Sequence, residues 1–430
     1  MKSENFKTQR NLSKIKNMKR INMMIIGLCG LALLPQAVLS QTRKVSLQEC
    51  INMALEKNPQ MQVANKSVER AKALQGTAWE MDKTELSLSQ DPTSGGSPDN
   101  ALSLSQSIEF PTYYIARHKQ LKAETQAERS KAAVVRLSLE NDVKAAYYQA
   151  VYLAERLRVL ESQDSLLAQY RTLAEKRYKA GETRQLELLS AERLQRENKM
   201  EVLAAHNELE TARLLLSRLV GSVETVEPKE DSLLPLDWKQ TSYNYSQTPE
   251  GQYSLDRLKV SDQAVRVAKN GFAPSLSLSL RNQLVISSWN PYDQDRSRFD
   301  GGNFMGFEVG VGIPLFYGAT RAKLKAARKE REMIALEIKE QEQLRQQEYL
   351  SALSRMNAAY VRYTYYNEEG RERSDKMAEQ GLLEYSQGEI SYLEYMNVLQ
   401  ESIGLRLKRA SALNDYNQCV LVMEKLCGRQ

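Results

Sequence analysis

The stretch Tyr385-Ser386-Gln387-Gly388-Glu389, continuing to Leu393-Glu394, decides the fold because the chain contains its pattern twice. The counterpart lies 207 residues earlier and consists of Tyr178, Gly181-Glu182 and Leu186-Glu187. In both places a glycine separates two long segments of helical periodicity, which predicts the turn at the tip of a helical hairpin. Self-similarity over this distance is typical of a duplicated structural unit and not of a catalytic domain.

A second pair of matching stretches lies upstream of the tips. Phe110-Pro111-Thr112-Tyr113-Tyr114 and Ile313-Pro314-Leu315-Phe316-Tyr317 are 203 residues apart, and each predicts a corner at which a strand gives way to a helix. The spacing therefore grows from 203 at the corner to 207 at the tip, so the second copy has four extra residues between them. Four residues are about one helical turn, and we expect the buried face of the helix to stay buried.

The N-terminal residues 1–40 have the composition of a secretory leader. They contain seven lysines and arginines but one acidic residue, and an apolar run extends from Met23 to Leu34. This run is shorter than the roughly 18 to 20 residues that a membrane-spanning helix needs, so we expect a cleaved signal peptide. Val38 and Ser40 are suitable residues before a cleavage site near Gln41.

The composition without this leader excludes one class of partner. Basic and acidic residues number 60 and 54 in the whole chain but 53 and 53 after residue 40, so the predicted mature chain is formally neutral. The excess of basic residues that would favour a nucleic-acid partner is therefore confined to the leader. Cys50, Cys419 and Cys427 remain, in an oxidising compartment. Cys419 and Cys427 are about 12 Å apart along a helix, too far for a disulfide, whereas Cys50 could pair with either or all three could be buried thiols.

Long helices dominate the prediction. No proline or glycine occurs between Tyr114 and Tyr178, and apolar residues recur every three or four positions, which predicts a helix of about 65 residues. These apolar residues are Leu139, Val143, Ala146, Ala150, Leu153, Leu157, Leu160, Leu167, Tyr170 and Ala174. We expect its partner over Gln185–Leu219, and a second hairpin over Thr320–Ser386 and Ser391–Leu426. Narrow apolar seams on such helices are typical of coiled-coil packing.

Helices over Ser46–Met81 and Asp256–Lys269 are predicted to lead into the two repeats. The resulting organisation is a signal peptide over 1–40, a first repeat over 41–221, a linker or equatorial segment over 222–254 and a second repeat over 255–430.

Each repeat also contains two short alternating segments between its lead helix and its corner. In the second repeat, leucines 276, 278 and 280 alternate with serines, and the segment Phe307–Ile313 alternates apolar residues with Glu308 and glycines. The first repeat has Leu86–Leu88 and Leu102–Phe110 in the same pattern. Each segment predicts a strand with one apolar and one small polar face. The loops between the strands, 91–100 and 287–303, should lie in water.

Strands of this kind suit a barrel with lipid outside and water inside, although the edge of a soluble sandwich is an alternative. Four strands cannot close a barrel, and open edges in lipid would leave backbone groups without hydrogen bonds. Several chains must therefore share one barrel. Two chains would supply eight strands and three would supply twelve, of which only the larger leaves an open bore.

The sequence lacks the groups that catalysis would need. It contains two histidines, His118 and His206, both predicted on exposed helix faces, so neither a catalytic triad nor a zinc site of ordinary spacing can be assembled. No glycine-rich phosphate loop follows a strand. The methionines are scattered, which favours packing over copper binding. We expect neither enzymatic activity nor a cofactor.

The chain resembles the TolC-like outer-membrane factor family over nearly its whole mature length. The resemblance rests on three stretches, Ala268–Leu276 entering a strand, Gly312–Phe316 leaving one, and the tip Tyr385–Glu389 with Leu393-Glu394. It implies a mainly α fold with membrane β, in which long antiparallel coiled-coil hairpins and four strands per chain form a homotrimer with a shared twelve-stranded outer-membrane barrel. It also implies docking of the periplasmic tips on a hexameric adaptor protein that links the channel to an inner-membrane pump.

The resemblance assigns roles to residues of the two tips. The predicted docking residues are Tyr178, Gly181, Glu182, Leu186, Tyr385, Gly388, Glu389 and Leu393. Tyr385 matches a constriction tyrosine and Glu394 a pore-facing acid, and three copies of Glu394 around an axis would attract cations. The second acid of the family pattern is replaced by Asn397 and the usual arginine by Ile390. The alternative is that Glu394 is only a solvated helix residue.

The resemblance implies a passive duct of a tripartite export system, driven by a pump of the resistance-nodulation-division (RND) class. The tip phrase Gly388–Tyr395 is most similar to the heavy-metal branch of the family, which indicates copper, silver, zinc, cobalt or cadmium as cargo. A drug-efflux or type I secretion duct would share this architecture. A periplasmic coiled-coil adaptor or scaffold is the alternative of another class, but an adaptor should have one hairpin and a lipoyl-like module.

Overall fold

The structure is a computed structural model that describes residues 43–91, 99–239, 242–284 and 303–428. The predicted leader and most of both loops between strands lie outside these residues. The strands are β1 (Arg43–Val45), β2 (Glu85–Asp91), β3 (Asp99–Glu109), β4 (Val226–Pro228), β5 (Ser275–Leu284) and β6 (Asn303–Gly312). The α-helices are α1 (Leu47–Lys57), α2 (Pro59–Leu74), α3 (Pro111–Lys179), α4 (Gln185–Val220), α5 (Pro249–Asn270), α6 (Gly318–Tyr365), α7 (Arg371–Gln387) and α8 (Tyr392–Cys427). Short 3-10 helices cover Gln75–Trp79 and Tyr245–Gln247.

Two long helical hairpins form the main body, as the apolar periodicity predicts. The first consists of α3, which has 69 residues, and α4, which has 36. All of the apolar α3 residues named above, from Leu139 to Ala174, are buried. Their side chains pack against α4, the lead helices and α8. The predicted seam is therefore the core of the structure.

The second hairpin contains an irregularity that the sequence analysis did not foresee. Between α6 and α7 the helix passes through a π-helical turn over Tyr366–Gly370. Four extra residues advance an α-helix by about 400°, roughly 40° more than a whole turn. A π turn uses more residues per turn and can absorb that excess. The buried face does continue through this turn, with Gly370 and Ser374.

The lead helices differ from their predicted extents. The expected helix over Ser46–Met81 is wrong as a single element, because Asn58 ends α1 and caps α2, whose first residue is Pro59. Proline lacks the N–H that a continuous helix would need at this position. The lead helix of the second repeat is longer than expected, since α5 begins at Pro249 with the Thr248 hydroxyl accepting a hydrogen bond from Gly251.

The two corners are not equivalent, although their sequences match. Pro111 is the first residue of α3, directly after β3 and Phe110. After Pro314 the chain remains non-helical up to Tyr317, and α6 begins at Gly318. The side chains of Ile313, Leu315 and Phe316 in this segment are largely exposed.

A four-stranded antiparallel sheet has the strand order β2-β3-β5-β6. In its register apolar residues face apolar residues and small polar residues face each other, as in the rows Leu104–Leu280–Phe307 and Ser105–Ser279–Glu308. Because directly opposed residues of an antiparallel pair lie on one face, the sheet has the two faces that the alternation predicts. Among the described residues, β2 and β6 are edge strands.

The linker between the repeats is held against the helices by side chains. Asn417 of α8 is fully buried, accepts a hydrogen bond from the backbone N–H of Leu236 and donates one to the carbonyl of Leu234. The small sheet of β1 and β4 is fixed in a similar way by the Tyr147 hydroxyl, which donates to the Val45 carbonyl over 3.1 Å. Within the described ranges, no helix is long and apolar enough to cross a membrane.

Candidate functional site

The two hairpin tips have the same backbone geometry, which explains the repeated tyrosine, glycine and glutamate. Gly181 and Gly388 adopt left-handed conformations with φ of 76° and 80°. The N–H of each glycine donates to the carbonyl of the tyrosine three residues earlier, over 3.0 Å for Tyr178 and 3.1 Å for Tyr385. The N–H of the glutamate after each glycine donates to the carbonyl of the residue that precedes the tyrosine. The two hydrogen bonds together form a Schellman cap. Glycine is required because other residues are strained at this φ.

The predicted docking residues lie at these tips, and most are accessible. Leu186 is 71 % exposed, Leu393 is 51 % exposed and Tyr178 is 40 % exposed. Glu182 and Glu389 are also exposed and follow their glycines directly. Each tip therefore presents apolar side chains beside an acidic one.

Tyr385 packs against two other tyrosines of the second hairpin. Its ring stacks on that of Tyr395 with centroids 5.0 Å apart, and it meets the ring of Tyr392 edge-on at 5.2 Å. Tyr385 is only half-buried, whereas Tyr392 is 7 % exposed. In this chain the tyrosine therefore belongs to an aromatic cluster within the second hairpin.

This cluster reaches across to the first hairpin through Tyr170 of α3. The rings of Tyr170 and Tyr392 stack with centroids 3.8 Å apart, and both are buried. Burial raises the pKa of Tyr170 to about 12, with a further contribution from Glu187, and burial also raises the pKa of Tyr392. We call Tyr170, Tyr385, Tyr392 and Tyr395 the tip tyrosine cluster. The periodicity of α3 predicts Tyr170 in the seam but not its contact with the second hairpin.

Glu394 has a structural role that the sequence analysis did not assign. Its carboxylate accepts a hydrogen bond from the Ser391 backbone N–H over 2.7 Å, and its own N–H donates to the Ser391 hydroxyl over 3.3 Å. This reciprocal pair is a capping box at the start of α8. The bond from the Ser391 N–H is the main reason that the pKa of Glu394 is lowered. A serine followed three residues later by a glutamate is the sequence pattern of a capping box, so this role could have been predicted.

The counterpart of Glu394 in the first hairpin makes different contacts. Glu187 accepts a hydrogen bond from the Thr183 hydroxyl and lies 3.7 Å from the Arg177 guanidinium. Its side chain is less exposed than that of Glu394, because it lies beside Tyr170. Asn397 is exposed on α8, one turn after Glu394. The two tips are thus similar in backbone but not in the environment of their acids.

The sheet provides a second surface with a marked division of chemistry. Leucine, phenylalanine and valine side chains on one face are largely exposed, with Leu88 at 75 % and Phe307 at 79 %. The opposite face carries serines and glycines, and the Ser277 hydroxyl leans over Gly310 so closely that a side chain there would clash. An apolar face of this extent is unusual on a protein surface in water and marks contact with lipid or another protein.

The described residues offer no cluster suited to metal binding. His118 and His206 are both exposed, and no group of three or more His, Cys, Asp or Glu side chains in the described ranges could hold a metal ion. Cys50 is fully buried, and burial with nearby Glu230 and Glu49 raises the pKa of its thiol to about 12. A thiol in such surroundings is poorly reactive.

Comparisons with known proteins agree with this geometry. Residues 50–222, which span the first repeat, match the family described as outer membrane efflux protein. This part of the chain is therefore similar to outer membrane efflux proteins. The similarity confirms the resemblance inferred from the sequence, although nothing in it singles out the heavy-metal branch. A search of curated proteins found no match.

Solved structures extend the likeness to the second repeat. The crystal structure of CusC, described in terms of folding and transmembrane channel formation, matches with a TM-score of 0.74 at 17 % identity, over 93 % of this chain and 96 % of that one. The crystal structure of a membrane protein from Pseudomonas aeruginosa matches with a TM-score of 0.74 at 17 % identity, over 90 % of this chain and 94 % of that one. The Campylobacter jejuni CmeC outer membrane channel matches with a TM-score of 0.70 at 16 % identity, over 89 % of this chain and 85 % of that one. The chain therefore has the fold of outer membrane efflux proteins along most of its length.

Proposed function

We propose that this protein is the exit duct of a tripartite efflux system in the outer membrane. In this proposal three copies form a homotrimer, whose sheets close a twelve-stranded barrel in the outer membrane and whose hairpins extend into the periplasm. Cargo moves passively through the duct, and an inner-membrane RND pump supplies the energy. The chain itself performs no catalysis.

The observation that carries this proposal is the four-stranded sheet. Its exposed apolar face suits lipid tails, and its serine and glycine face suits a water-filled bore. Its edge strands β2 and β6 have no second neighbour among the described residues, and unpaired backbone groups cannot remain open in a bilayer. Pairing β6 of one chain with β2 of the next satisfies both edges, and three chains give a barrel wide enough for a channel.

The tips suit a protein partner in the periplasm. Each chain has two tips with the same Schellman geometry and exposed leucines, so a trimer presents six similar tips. A hexameric adaptor would meet one tip with each subunit. Leu186 and Leu393 are the apolar anchors that we assign to this contact.

Substitutions on neighbouring β5 residues test the barrel directly. Leu280 lies on the apolar face between Leu104 and Phe307, and Ser279 lies on the opposite face between Ser105 and Glu308. Arginine on a lipid-facing position costs about 2 to 4 kcal/mol near the bilayer midplane. We expect Leu280→Arg to deplete the protein from the outer membrane, whereas Ser279→Arg assembles and lowers cation conductance. Equal assembly of both variants would refute the assignment of faces.

Heavy-metal cations are the cargo that we propose, on the resemblance of the tip phrase Gly388–Tyr395. Drug efflux or type I secretion is the alternative for the same duct. A deletion strain should become sensitive to copper, silver, zinc, cobalt or cadmium while its tolerance of dyes and detergents stays unchanged. Sensitivity to dyes and detergents with unchanged metal tolerance would favour the drug-efflux alternative.

A periplasmic adaptor or scaffold is the candidate of another class. It is disfavoured because each of the two hairpins is preceded by a strand pair, and all four strands share one sheet with an exposed apolar face. Cell fractionation separates the two functions, since a duct should occur in the outer membrane as a trimer that resists sodium dodecyl sulfate until it is heated. A soluble monomer would support the scaffold.

A further inference from the structure

A second charged site lies on the second hairpin, away from its tip. It is a cavity of about 330 Å³ next to the π turn, between the start of α7 and the middle of α8. The lining residues are Arg371, Ser374, Asp375, Leu405, Arg406 and Arg409. Three guanidinium groups thus share the cavity with one carboxylate.

The guanidinium groups have few anionic partners. Arg406 lies 3.2 Å from the Asp375 carboxylate. Arg409 donates from Nε to the neutral amide oxygen of Asn367 over 3.1 Å. The Arg371 guanidinium makes no hydrogen bond or ion pair with any described residue, and Arg371 is an exposed residue that lines the cavity. The cavity therefore has an excess of positive charge and of unused N–H donors.

Two acidic residues close to the cavity are paired with other basic residues. Glu369 lies 3.1 Å from the Arg373 guanidinium, and Glu372 lies 2.6 Å from the Lys376 ammonium group. Glu369 belongs to the π turn and the other three residues to α7, and none of the four lines the cavity. They leave Asp375 as its one lining carboxylate.

The site belongs to the second hairpin alone. At the offset of 207 residues, the first hairpin has Asp164 in place of Arg371 and Val202 in place of Arg409. Asp164 accepts a hydrogen bond from Asn198 over 3.4 Å, so that position serves packing between α3 and α4. The arginines are therefore not a requirement of the repeated architecture, and they occur where the extra residues and the π turn distinguish the second hairpin.

We propose that this cavity is a binding site for an oxyanion, the phosphate or carboxylate group of a small molecule. Guanidinium groups match such anions because their planar N–H donors form paired, charge-assisted hydrogen bonds. Arg371 and Arg409 are the residues that hold the anion, from α7 and α8 respectively. A bound oxyanion bridges the two helices immediately after the π turn, so it stiffens this part of the hairpin.

Binding of radiolabelled inorganic phosphate to the purified full-length protein in detergent tests the proposal. Equilibrium dialysis at constant ionic strength should give saturable binding of one phosphate per chain. Arg371→Gln and Arg409→Gln should each weaken binding about tenfold or more, because each removes a charge-assisted contact. Arg373→Gln is the matched control, since Arg373 is an exposed arginine on the same helix that does not line the cavity. Its affinity should equal that of the wild type.

Two outcomes would overturn the proposal. One is the absence of saturable binding, or equal binding by the wild type and Arg371→Gln. The other is a weaker trimer in Arg371→Gln, measured by light scattering, together with no phosphate binding in the wild type. That result would assign the arginines to a carboxylate of a neighbouring copy. Arg371→Lys, which keeps the charge but not the planar fork, should bind with an affinity between those of the wild type and Arg371→Gln.

Discussion

Tyr170 of the first hairpin stacks on Tyr392 of the second, with ring centroids 3.8 Å apart and an angle of 25° between the planes. Tyr385 and Tyr395 extend the contact within the second hairpin. Because Tyr170 is 3 % exposed and Tyr392 is 7 % exposed, the contact is desolvated. The two hairpins of one chain are therefore joined near their tips by aromatic packing.

Removal of the central ring should loosen the tips. Tyr392→Ala deletes a buried aromatic side chain and should lower the free energy of unfolding by about 3 kcal/mol. Tyr178→Ala removes a tyrosine that is 40 % exposed at the other tip and should cost far less. Amide hydrogen exchange near residues 165–185 and 385–400, with thermal unfolding of the trimer, measures both effects. Equal protection of the tips in both variants would contradict the role of the stack.

The same contact predicts a dependence on alkaline pH. The pKa of Tyr170 is raised to about 12 and that of Tyr392 is also raised, while an unfolded tyrosine titrates near 10. The folded state thus favours the neutral phenols. Their contribution to stability is complete below pH 10 and is lost as the pH rises toward 12. Near-ultraviolet absorbance should show a late-titrating fraction of tyrosines in the wild type that is smaller in Tyr392→Ala.

The tip glycines should be sensitive to substitution for conformational reasons alone. Gly388 has a φ of 80° and a Cβ would meet nothing within 4 Å, so Gly388→Ala should cost about 1 kcal/mol through backbone strain. Gly404 also has space for a Cβ but lies inside α8 with ordinary helical geometry. Gly404→Ala should therefore stabilise the protein slightly. Thermal unfolding measures the melting temperature of both variants. A change of the same sign in both melting temperatures would refute this explanation.

Two substitutions of Glu394 distinguish the effect of its charge from the effect of its capping hydrogen bond. Glu394→Gln retains an oxygen that can accept from the Ser391 N–H, whereas Glu394→Ala removes the cap as well. If three Glu394 carboxylates form a cation-attracting ring, both variants should lose block of the channel by divalent and trivalent cations. Only Glu394→Ala should also destabilise the start of α8. Unchanged cation block in Glu394→Gln would argue for a purely structural role.

The strands and helices could be predicted because their patterns are local. Alternation of leucine and serine in Ser275–Leu280 determines which side chains share a face, and the pairing of β5 with β3 and β6 preserves that division. The apolar positions of α3 from Leu139 to Ala174 are all buried for the same reason, since a period of 3.6 residues defines one face of a helix. These features depend on neighbours in sequence.

Other features depend on contacts that sequence spacing does not contain. The stack of Tyr170 on Tyr392 joins residues from different repeats. The π turn at Tyr366–Gly370 lies in the hairpin whose four extra residues are not a whole number of α-helical turns. Matching corner sequences also did not reveal that Pro111 begins a helix whereas Pro314 does not. Two other features could have been predicted from local sequence. Pro59 indicates the helix break after Asn58, and the spacing of Ser391 and Glu394 indicates the capping box.

The mass and conductance of the purified protein test the central proposal most directly. Light scattering with correction for bound detergent should give three chains, each no larger than 49.0 kDa, and the same material should form ion channels in planar lipid bilayers. The proposal predicts both properties together, because one chain supplies four of the twelve strands. A monomer, whether it forms a channel or not, would contradict it.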